Sequence, residues 1–387
     1  MSSRIAALLL ASCAVQGQPI YDLLLKNGRV IDPANHREAQ LDVVVIGNKI
    51  ARVARDIPAA HARVVVDASG YYVTPGLIDI NARFDFREDR YNLKPDYNTL
   101  PNGVTTAVDA GSSNCKTFPD FRAGVIDRAK TRLLAFLNAG ADCDSASMAR
   151  IVRRYPEIIV GIAARPQTLE TAVKAAQLSN AIVMVDANGI GEAEYAGRVL
   201  KQLRPGDINT HVYSRLTPQT DGNGNIRTEL RQAQQRGVSF DVGHGSDGLW
   251  FRIAQPAIQQ GFLPDTISSG MDIDSILLPR ANMITTMSKL LNMGMSADQI
   301  IERVTANPAR VIRRPDLGTL SEGAIADIAV LRIQEGRFGF LDSGHARLDG
   351  SRRLDCVLTV RNGAVVWDSE GLSVTDWIKA GPYTNFK

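Results

Sequence analysis

Short apolar runs alternate with segments of helical periodicity through the middle of this 387-residue chain. Between turn signals, such runs are typical of buried parallel strands. They predict strands at Leu77–Ile80, Thr105–Ala110, Leu133–Leu137, Ile158–Ile162, Ile182–Val185, Asn209–His211, Ser239–Val242 and Thr266–Ser268. Amphipathic segments separate the runs, and Leu169–Leu178 is an example. Eight such units favour an α/β fold with a (β/α)8 TIM barrel over residues 74–315 rather than an open sheet.

Both ends of the chain carry a different pattern, in which β-branched runs flank an Asn-Gly pair. Asn27-Gly28 and Asn362-Gly363 each predict a hairpin, because both central residues of a type I′ turn need positive φ. With the neighbouring strand-like runs, they predict a small composite β-sandwich made from residues 20–73 and 316–370. Residues 371–387 then form a C-terminal tail.

Residues 1–17 have the pattern of an export signal, with Arg4 before the apolar run Ile5–Ala11. Two cleavage sites are possible. Leu10–Cys13 is similar to a bacterial lipobox, whereas Val15–Gly17 suits an ordinary signal peptidase. We therefore expect an exported bacterial protein, either periplasmic or tethered to the membrane as a lipoprotein. No later stretch approaches the roughly 20 apolar residues needed to span a bilayer.

The charge balance argues against one class of partner. Lys and Arg number 44 against 41 Asp and Glu, and no basic cluster is interleaved with aromatic residues. We therefore expect no nucleic-acid partner.

Three cysteines remain if Cys13 belongs to the signal: Cys115, Cys143 and Cys356. Cys115 and Cys143 each follow a strand-like run, so adjacent loops of the barrel can bring them together. The sequence leaves two alternatives open, a disulfide or two buried small side chains.

Several motifs together resemble the deacetylase-like, dihydroorotase-related branch of the amidohydrolase superfamily, from about Tyr21 to Ser369. The segments that carry the resemblance are Thr74–Arg83, Gly103–Gly111, Leu134–Asn138, Phe240–Gly245, Phe262–Ser268 and Val304–Arg310. The resemblance implies a barrel enzyme with two divalent metals, such as zinc. The expected ligands are a His pair on strand one, a carboxylated lysine on strand four, histidines on strands five and six, and an aspartate on strand eight. Such metals activate water, and the aspartate carries the proton.

The chain differs from that family pattern at five of six positions. Only His211, on strand six, matches it. The positions that differ are Asn81 and Arg83 for the histidine pair, Ala163 for the lysine, Asp186 for the strand-five histidine and Gly270 for the aspartate. A slip of one residue near Asp186 would bring in Val185 or Ala187, and neither restores a histidine.

These substitutions predict that the metal site is largely lost and that no cofactor is needed. His211 is then either a residual metal ligand or a histidine satisfied by polar neighbours, because zinc needs three or four donors. We expect Arg83 to pair with Asp186 where the metal would sit. Arg165, at the end of strand four, is either a surface salt-bridge residue or an anion contact.

A glycine-rich segment, Gly243–Gly248, follows a strand and precedes a helix predicted from Leu249. It matches the fingerprint of a dinucleotide-binding site only weakly, because that fingerprint belongs to a βαβ unit of an open sheet and this segment lies in the predicted barrel. Its amides favour anions, so a ligand carboxylate is expected beside His244 and Arg83. Alternatively, the glycines serve only a tight turn.

Two functions remain open. The first is a pseudoenzyme with no catalytic residue, which binds a small anion or a protein partner through Arg83, Arg165, Asp186 and His244. The second is a metal-dependent hydrolase of amide or ester bonds, of deacetylase type, with a reduced site. The oligomeric state is not predicted, because apolar residues such as Met287 and Leu290 suit either a core or an interface.

Overall fold

The computed structural model describes residues 21–84, 93–217, 219–221 and 223–382. The predicted export signal at residues 1–17 and the end of the predicted tail, residues 383–387, lie outside the described residues.

The described residues contain strands from both predicted units. In chain order the strands are β1 (Tyr21–Asp32), β2 (Arg37–Ile46), β3 (Lys49–Ala54), β4 (Ala62–Asp67), β5 (Tyr72–Pro75), β6 (Leu77–Ala82), β7 (Val104–Ala110), β8 (Arg132–Asn138), β9 (Ile159–Ala164), β10 (Ile182–Asp186), β11 (Ile208–Thr210), β12 (Ser239–Phe240), β13 (Ile328–Leu341), β14 (Arg347–Arg361) and β15 (Ala364–Asp368). Strands β6 to β12 start within two residues of the predicted runs, because apolar side chains are needed on both faces of a covered parallel sheet.

Helices connect most of these strands. They are α1 (Pro95–Thr99), α2 (Phe118–Gly124), α3 (Ser145–Arg154), α4 (Leu169–Ser179), α5 (Glu192–Glu194), α6 (Leu200–Gln202), α7 (Thr228–Gln235), α8 (Phe251–Gln259), α9 (Met283–Asn292), α10 (Ala297–Val304) and α11 (Ala306–Val311). The apolar face of α9 is core, since Met287 and Leu290 are fully buried. None of the helices among the described residues has the length and apolar character required to cross a bilayer.

Seven parallel strands pair in the order β6-β7-β8-β9-β10-β11-β12. The segment 266–271 lies between the two edges of this sheet, because Thr266 bridges to Asp241 and Met271 bridges to Ala82, both in parallel. The result is a TIM-barrel-like arrangement of mixed α/β content. The predicted strand Thr266–Ser268 is not a regular strand, but its segment makes backbone hydrogen bonds to both edges. Examples are the Val242 amide to the Thr266 carbonyl at 3.1 Å and the Gly270 amide to the Asn81 carbonyl at 2.8 Å.

Two buried carboxylates hold this closing segment in place. Asp241 accepts hydrogen bonds from the hydroxyls of Thr266 at 2.8 Å and Ser268 at 2.6 Å. Asp79 on β6 accepts from the Ser269 hydroxyl at 2.5 Å and the Ser269 amide at 3.0 Å. Burial raises the pKa of Asp79 to about 7, although the bonds from Ser269 oppose that shift. Side chains thus reinforce the backbone hydrogen bonds of this segment.

The second sheet has the order β15-β14-β13-β5-β1-β2-β3, with β4 paired to β1. Strands from both chain ends therefore meet in one hydrogen-bonded sheet. The predicted boundary at residues 73 and 74 falls inside β5, which pairs with β1 and β13. The two-layered sandwich and the domain limits stay predictions.

The two Asn-Gly pairs have different structures. Asn362-Gly363, with φ of 53° and 83°, joins β14 to β15 as the predicted hairpin turn. Asn27 also has positive φ, but the register of β1 against β2 shifts between Leu25 and Gly28. The prediction of a hairpin at Asn27 was therefore wrong, because the positive φ serves a bulge within one continuous strand.

A disulfide joins Cys115 and Cys143, which lie on the loops that follow β7 and β8. Cys356 is free and buried. Of the two alternatives for Cys115 and Cys143, the structure therefore contains the disulfide.

Replacement of Cys115 and Cys143 by serine should lower the free energy of unfolding by roughly 3 kcal/mol, because the bridge restricts the unfolded chain over a separation of 28 residues. Urea denaturation with and without a thiol reductant measures the effect. The reductant should leave the double variant unchanged. Equal stability of the oxidised protein and the double variant would contradict this expectation.

Candidate functional site

A cavity of about 360 Å³ opens at the carboxyl ends of the barrel strands, where active sites of such barrels lie. Its lining includes Asn81, Arg83, Arg165, Asp186, His211 and Gly270. A recess of about 50 Å³ shares five of these residues and adds Ala163. The structure therefore brings all six family positions to one place, which we call the mouth cavity.

His211 follows β11 with a φ of 59°, a conformation that side-chain-bearing residues adopt rarely. Its Nδ1 lies 2.5 Å from the carbonyl oxygen of Gly243, and its Nε2 lies 3.5 Å from Oδ2 of Asp186. Burial disfavours the charged ring, but Asp186 and the Gly243 carbonyl outweigh it and raise the pKa of His211. With a carbonyl oxygen at Nδ1 and a carboxylate near Nε2, the surroundings of the ring favour its protonated form.

Asp186 pairs with Arg165, whose Nη1 lies 2.8 Å from Oδ2. Burial alone would raise the pKa of Asp186, but His211 and Arg165 hold it well below its usual range. The predicted pair with Arg83 was wrong. β10 lies between β9 and β11, so the ends of those two strands supply the partners, whereas Arg83 follows the more distant β6.

Arg83 is exposed and lines the mouth cavity, and its backbone amide donates to the Met271 carbonyl at 2.9 Å. Arg165 has a half-exposed side chain, so its pairing with Asp186 leaves part of the guanidinium open to the cavity. The salt-bridge alternative for Arg165 is therefore present in the structure, and the anion-contact alternative stays a prediction.

Asn81 is buried and takes part in a chain of hydrogen bonds. Its Nδ2 donates to the Thr210 hydroxyl at 2.9 Å, and that hydroxyl donates to Asp241 at 2.7 Å. The Ser268 hydroxyl donates to the same carboxylate and accepts from the Gly243 amide at 3.0 Å. The amide of Asn81 thus takes part in holding the barrel closed.

Gly270 leaves no room for a side chain. It has a φ of 59°, and a Cβ atom there would lie 2.5 Å from the amide nitrogen of Gly245 and 2.8 Å from the carbonyl carbon of Gly243. Both contacts are to backbone, which cannot rotate away as a side chain does. An aspartate at position 270 is therefore incompatible with this arrangement of the loop 243–248.

His244 lies outside the mouth cavity and is fully buried. Its Nδ1 donates to the Gly245 carbonyl at 2.8 Å, and its Nε2 accepts from Nζ of Lys289 at 2.6 Å. Both ring nitrogens are thus used inside the protein, and the predicted ligand contact at His244 stays a prediction. Burial, followed by the Lys289 charge, holds the pKa of His244 well below its usual range.

The expected anion site at the helix start is also filled. α8 begins at Phe251 rather than Leu249, and the Phe251 amide donates to Oδ2 of Asp342 at 3.1 Å. A carboxylate of the protein itself therefore occupies the position that was expected to bind a ligand.

Four buried polar residues around this region were not singled out from the sequence: Asp79, Asp241, Lys289 and Asp342. Burial lowers the pKa of Lys289 to about 7, against the attraction of Asp342. The sequence signal that could have found them is an ionisable residue within an otherwise apolar helix or strand, such as Lys289 on α9 and Asp79 on β6.

Comparison with known proteins gives the family. The model of the amidohydrolase family matches residues 220–366. A deacetylase of Agrobacterium fabrum is 30% identical over 338 residues, which cover 79% of this chain and 82% of that protein. The chain belongs to the amidohydrolase superfamily. A deacetylase of Brucella anthropi is 29% identical over 85% of this amidohydrolase chain and 89% of its own length. The crystal structure of an adenine deaminase matches with a TM-score of 0.82 and 26% identity, over 90% of this chain and all of that one.

Amidohydrolases usually hold divalent metal, but the residues at the mouth cavity do not fit one. Within the described ranges, no group of three or more His, Cys, Asp or Glu side chains is arranged to hold a metal ion. His211 has an acceptor at each nitrogen, and Asp186 is paired with a guanidinium. Two such donors fall short of the three or four that zinc requires.

Asp186→Asn should lower the pKa of His211, because Asp186 is the main group that favours the charged ring. Titration of the histidine ring resonances by NMR measures it, with His211→Gln to assign the signal. Arg165→Gln is the matched control, since it leaves Asp186 beside His211. An unchanged titration of His211 in Asp186→Asn would contradict the pairing.

The same pair predicts a pH window of stability. Because the folded-state pKa of His211 lies above 6.5, its charge stabilises the fold below pH 6.5 and this contribution is lost as the pH rises through the folded pKa. Asp186, with its pKa below 3.8, contributes above pH 3.8 and loses its contribution at more acidic pH. The stability lost in Asp186→Asn should therefore be greatest between these limits.

Gly270→Ala should lower the free energy of unfolding by roughly 2–4 kcal/mol, from the positive φ and the backbone overlap together. Gly261→Ala is the matched control, since Gly261 has a φ of 73° but nothing within 4 Å of its Cβ position. It should cost only about 1 kcal/mol. Denaturation curves compare the two, and equal losses would show that the contact with Gly243 and Gly245 is unimportant.

Proposed function

We propose that this amidohydrolase homologue does not hydrolyse its ligand and that its mouth cavity binds a small organic anion without metal. The observation that carries the proposal is the double engagement of His211, between the Gly243 carbonyl and Asp186. A histidine that donates from both nitrogens has no lone pair for a metal. The one family ligand that this sequence retains is therefore used structurally.

Two further contacts support the absence of catalysis. The pairing of Arg165 with Asp186 places a permanent cation beside that carboxylate, and a divalent metal there would be repelled. The backbone around Gly243–Gly245 also fills the space that the proton-carrying aspartate needs at position 270. Without a metal-activated water and without the aspartate that carries the proton at position 270, both parts of the family's hydrolytic chemistry are absent.

The choice of an anion as ligand follows from Arg83 and Arg165. Both line the mouth cavity, and guanidinium groups bind carboxylates through two parallel hydrogen bonds. Asn81 and Asn188 add polar lining without charge. Three carboxylates also line the cavity, Asp186, Asp247 and Asp272, and Asp186 is paired with Arg165. A volume of about 360 Å³ suits a small metabolite such as an N-acylated amino acid, which carries one carboxylate.

The alternative function is a metal-dependent hydrolase of N-acyl or O-acyl bonds. The names of the relatives favour it, since two proteins at 29% and 30% identity are called deacetylases. This alternative requires that metal binding expels Arg165 from Asp186 and turns His211 away from Gly243.

We also propose that the protein works outside the cytoplasm, in the periplasm or tethered by lipid. The Cys115–Cys143 disulfide supports this, because such bonds form in oxidising compartments.

The test combines metal content, turnover and binding. Protein purified without chelator and dialysed against micromolar zinc should retain fewer than about 0.1 zinc per chain, because two engaged donors do not form a zinc site. N-acetyl amino acids and acetylated hydroxy acids should not be hydrolysed in the presence of zinc. Calorimetry should nevertheless detect binding of an N-acetyl amino acid. Arg83→Gln should weaken this binding roughly tenfold.

Arg310→Gln, on the distant α11, is the matched control and should leave binding unchanged. Nearly one zinc per chain, together with turnover that a chelator blocks, would establish the hydrolase instead. Binding that Arg83→Gln and Arg310→Gln affect equally would remove the mouth cavity as the anion site.

A further inference from the structure

A second cavity lies away from the mouth, and we call it the arm cleft. It has a volume of about 740 Å³. One wall is the barrel segment 277–288, and the other is formed by the paired strands β13 and β14. This volume is within the range of pockets for small organic ligands.

The second wall is held firmly to the barrel. The distal half of β13 and β14 reaches α9, where the Leu354 amide donates to the Ser288 hydroxyl at 2.9 Å and Asn292 Nδ2 donates to the Arg352 carbonyl at 2.6 Å. At the tip, Asp342 accepts from the Phe251 amide. Bonds at both ends of the arm therefore keep the cleft open as a formed cavity.

The charge in the arm cleft is unbalanced. Four arginines line it against two carboxylates, and no lysine or histidine is among its lining residues. Arg332 pairs with Glu370 at 2.7 Å, and Arg353 lies 3.3 Å from Asp355. Arg280 and Arg337 are both exposed and have no ion pair with any other described residue. Two positive charges thus remain, one on each wall.

One of the paired arginines is also short of an acceptor. Nε of Arg332 is buried without a hydrogen-bond partner, whereas Nε of Arg353 faces Oδ1 of Asp355 at 3.3 Å. The protein itself therefore supplies fewer acceptor oxygens than the guanidinium groups of the cleft can use.

Apolar surface lies beside these charges. Leu277 is 84% exposed and Leu278 is 50% exposed, which is unusual for leucine. On the opposite wall, Phe338 lies under the guanidinium of Arg353, with 4.8 Å between Cζ and the ring centroid. A ligand with an apolar body would cover these side chains while its charged ends reach the arginines.

We propose that the arm cleft is a second binding site, for a small organic dianion whose two charges are separated by an apolar body. Arg280 and Arg337 bind one carboxylate each, and the body lies against Leu277 and Phe338. The proposal is independent of the function of the mouth cavity, with which the cleft shares no lining residue.

The test uses three probes of equal chain length: suberate with two carboxylates, octanoate with one, and the neutral 1,8-octanediol. Isothermal calorimetry on the full-length protein should give the tightest binding for suberate, weaker binding for octanoate and none for the diol. Arg280→Gln and Arg337→Gln should each weaken suberate binding roughly tenfold, the expected cost of one charge-assisted contact. Both side chains are exposed, so the thermal unfolding temperature should not change.

Arg83→Gln at the mouth is the control and should leave suberate binding intact. Loss of suberate binding in Arg83→Gln, but not in the cleft variants, would overturn the proposal and place the probe in the mouth cavity. Equal affinity for octanoate and suberate would overturn it too, because the second charge would then be irrelevant. Binding of polyglutamate without binding of suberate would replace the small ligand by an acidic peptide.

Discussion

Two buried carboxylates reinforce the backbone hydrogen bonds that close the barrel-like sheet. Asp241 and Asp79 accept hydroxyl and amide hydrogens from the segment 266–271, and this segment joins β12 to β6. Buried carboxylates are costly unless all their acceptor positions are used. The hydroxyls of Thr210, Thr266, Ser268 and Ser269 satisfy this need, and the chemistry of the mouth cavity follows from that arrangement.

The same network also holds residues that line the mouth cavity. Asn81 is tied to Thr210 and through it to Asp241, and the Gly243 amide is tied to Ser268. These bonds hold the 243–248 loop against Gly270 and place the Gly243 carbonyl on His211. The residues at the ligand positions of the superfamily therefore belong to one packed and hydrogen-bonded unit.

The sequence was sufficient for the seven parallel strands β6 to β12, because these strands are covered on both faces and their apolar runs are continuous. It was also sufficient to bring Asn81, Ala163, His211 and Gly270 together, since family motifs fix their strand ends. The hydrogen-bond and ion-pair partners of each side chain were harder to predict from the sequence. Arg83 and Arg165 follow different strands, and from the sequence either one could pair with Asp186. Only the strand order decides between them. Nothing near His244 in sequence indicates that Lys289, 45 residues away, is its partner.

The tight contact at Gly270 also restricts how this sequence can change. A carboxylate cannot be introduced at position 270 while Gly243 and Gly245 occupy their present positions. Gly248 is constrained in the same way, since a Cβ there would lie 1.8 Å from the Gly243 carbonyl oxygen. Any evolutionary or engineered path toward a family-type site therefore has a fixed order, in which the loop must be rebuilt before the acid can be added.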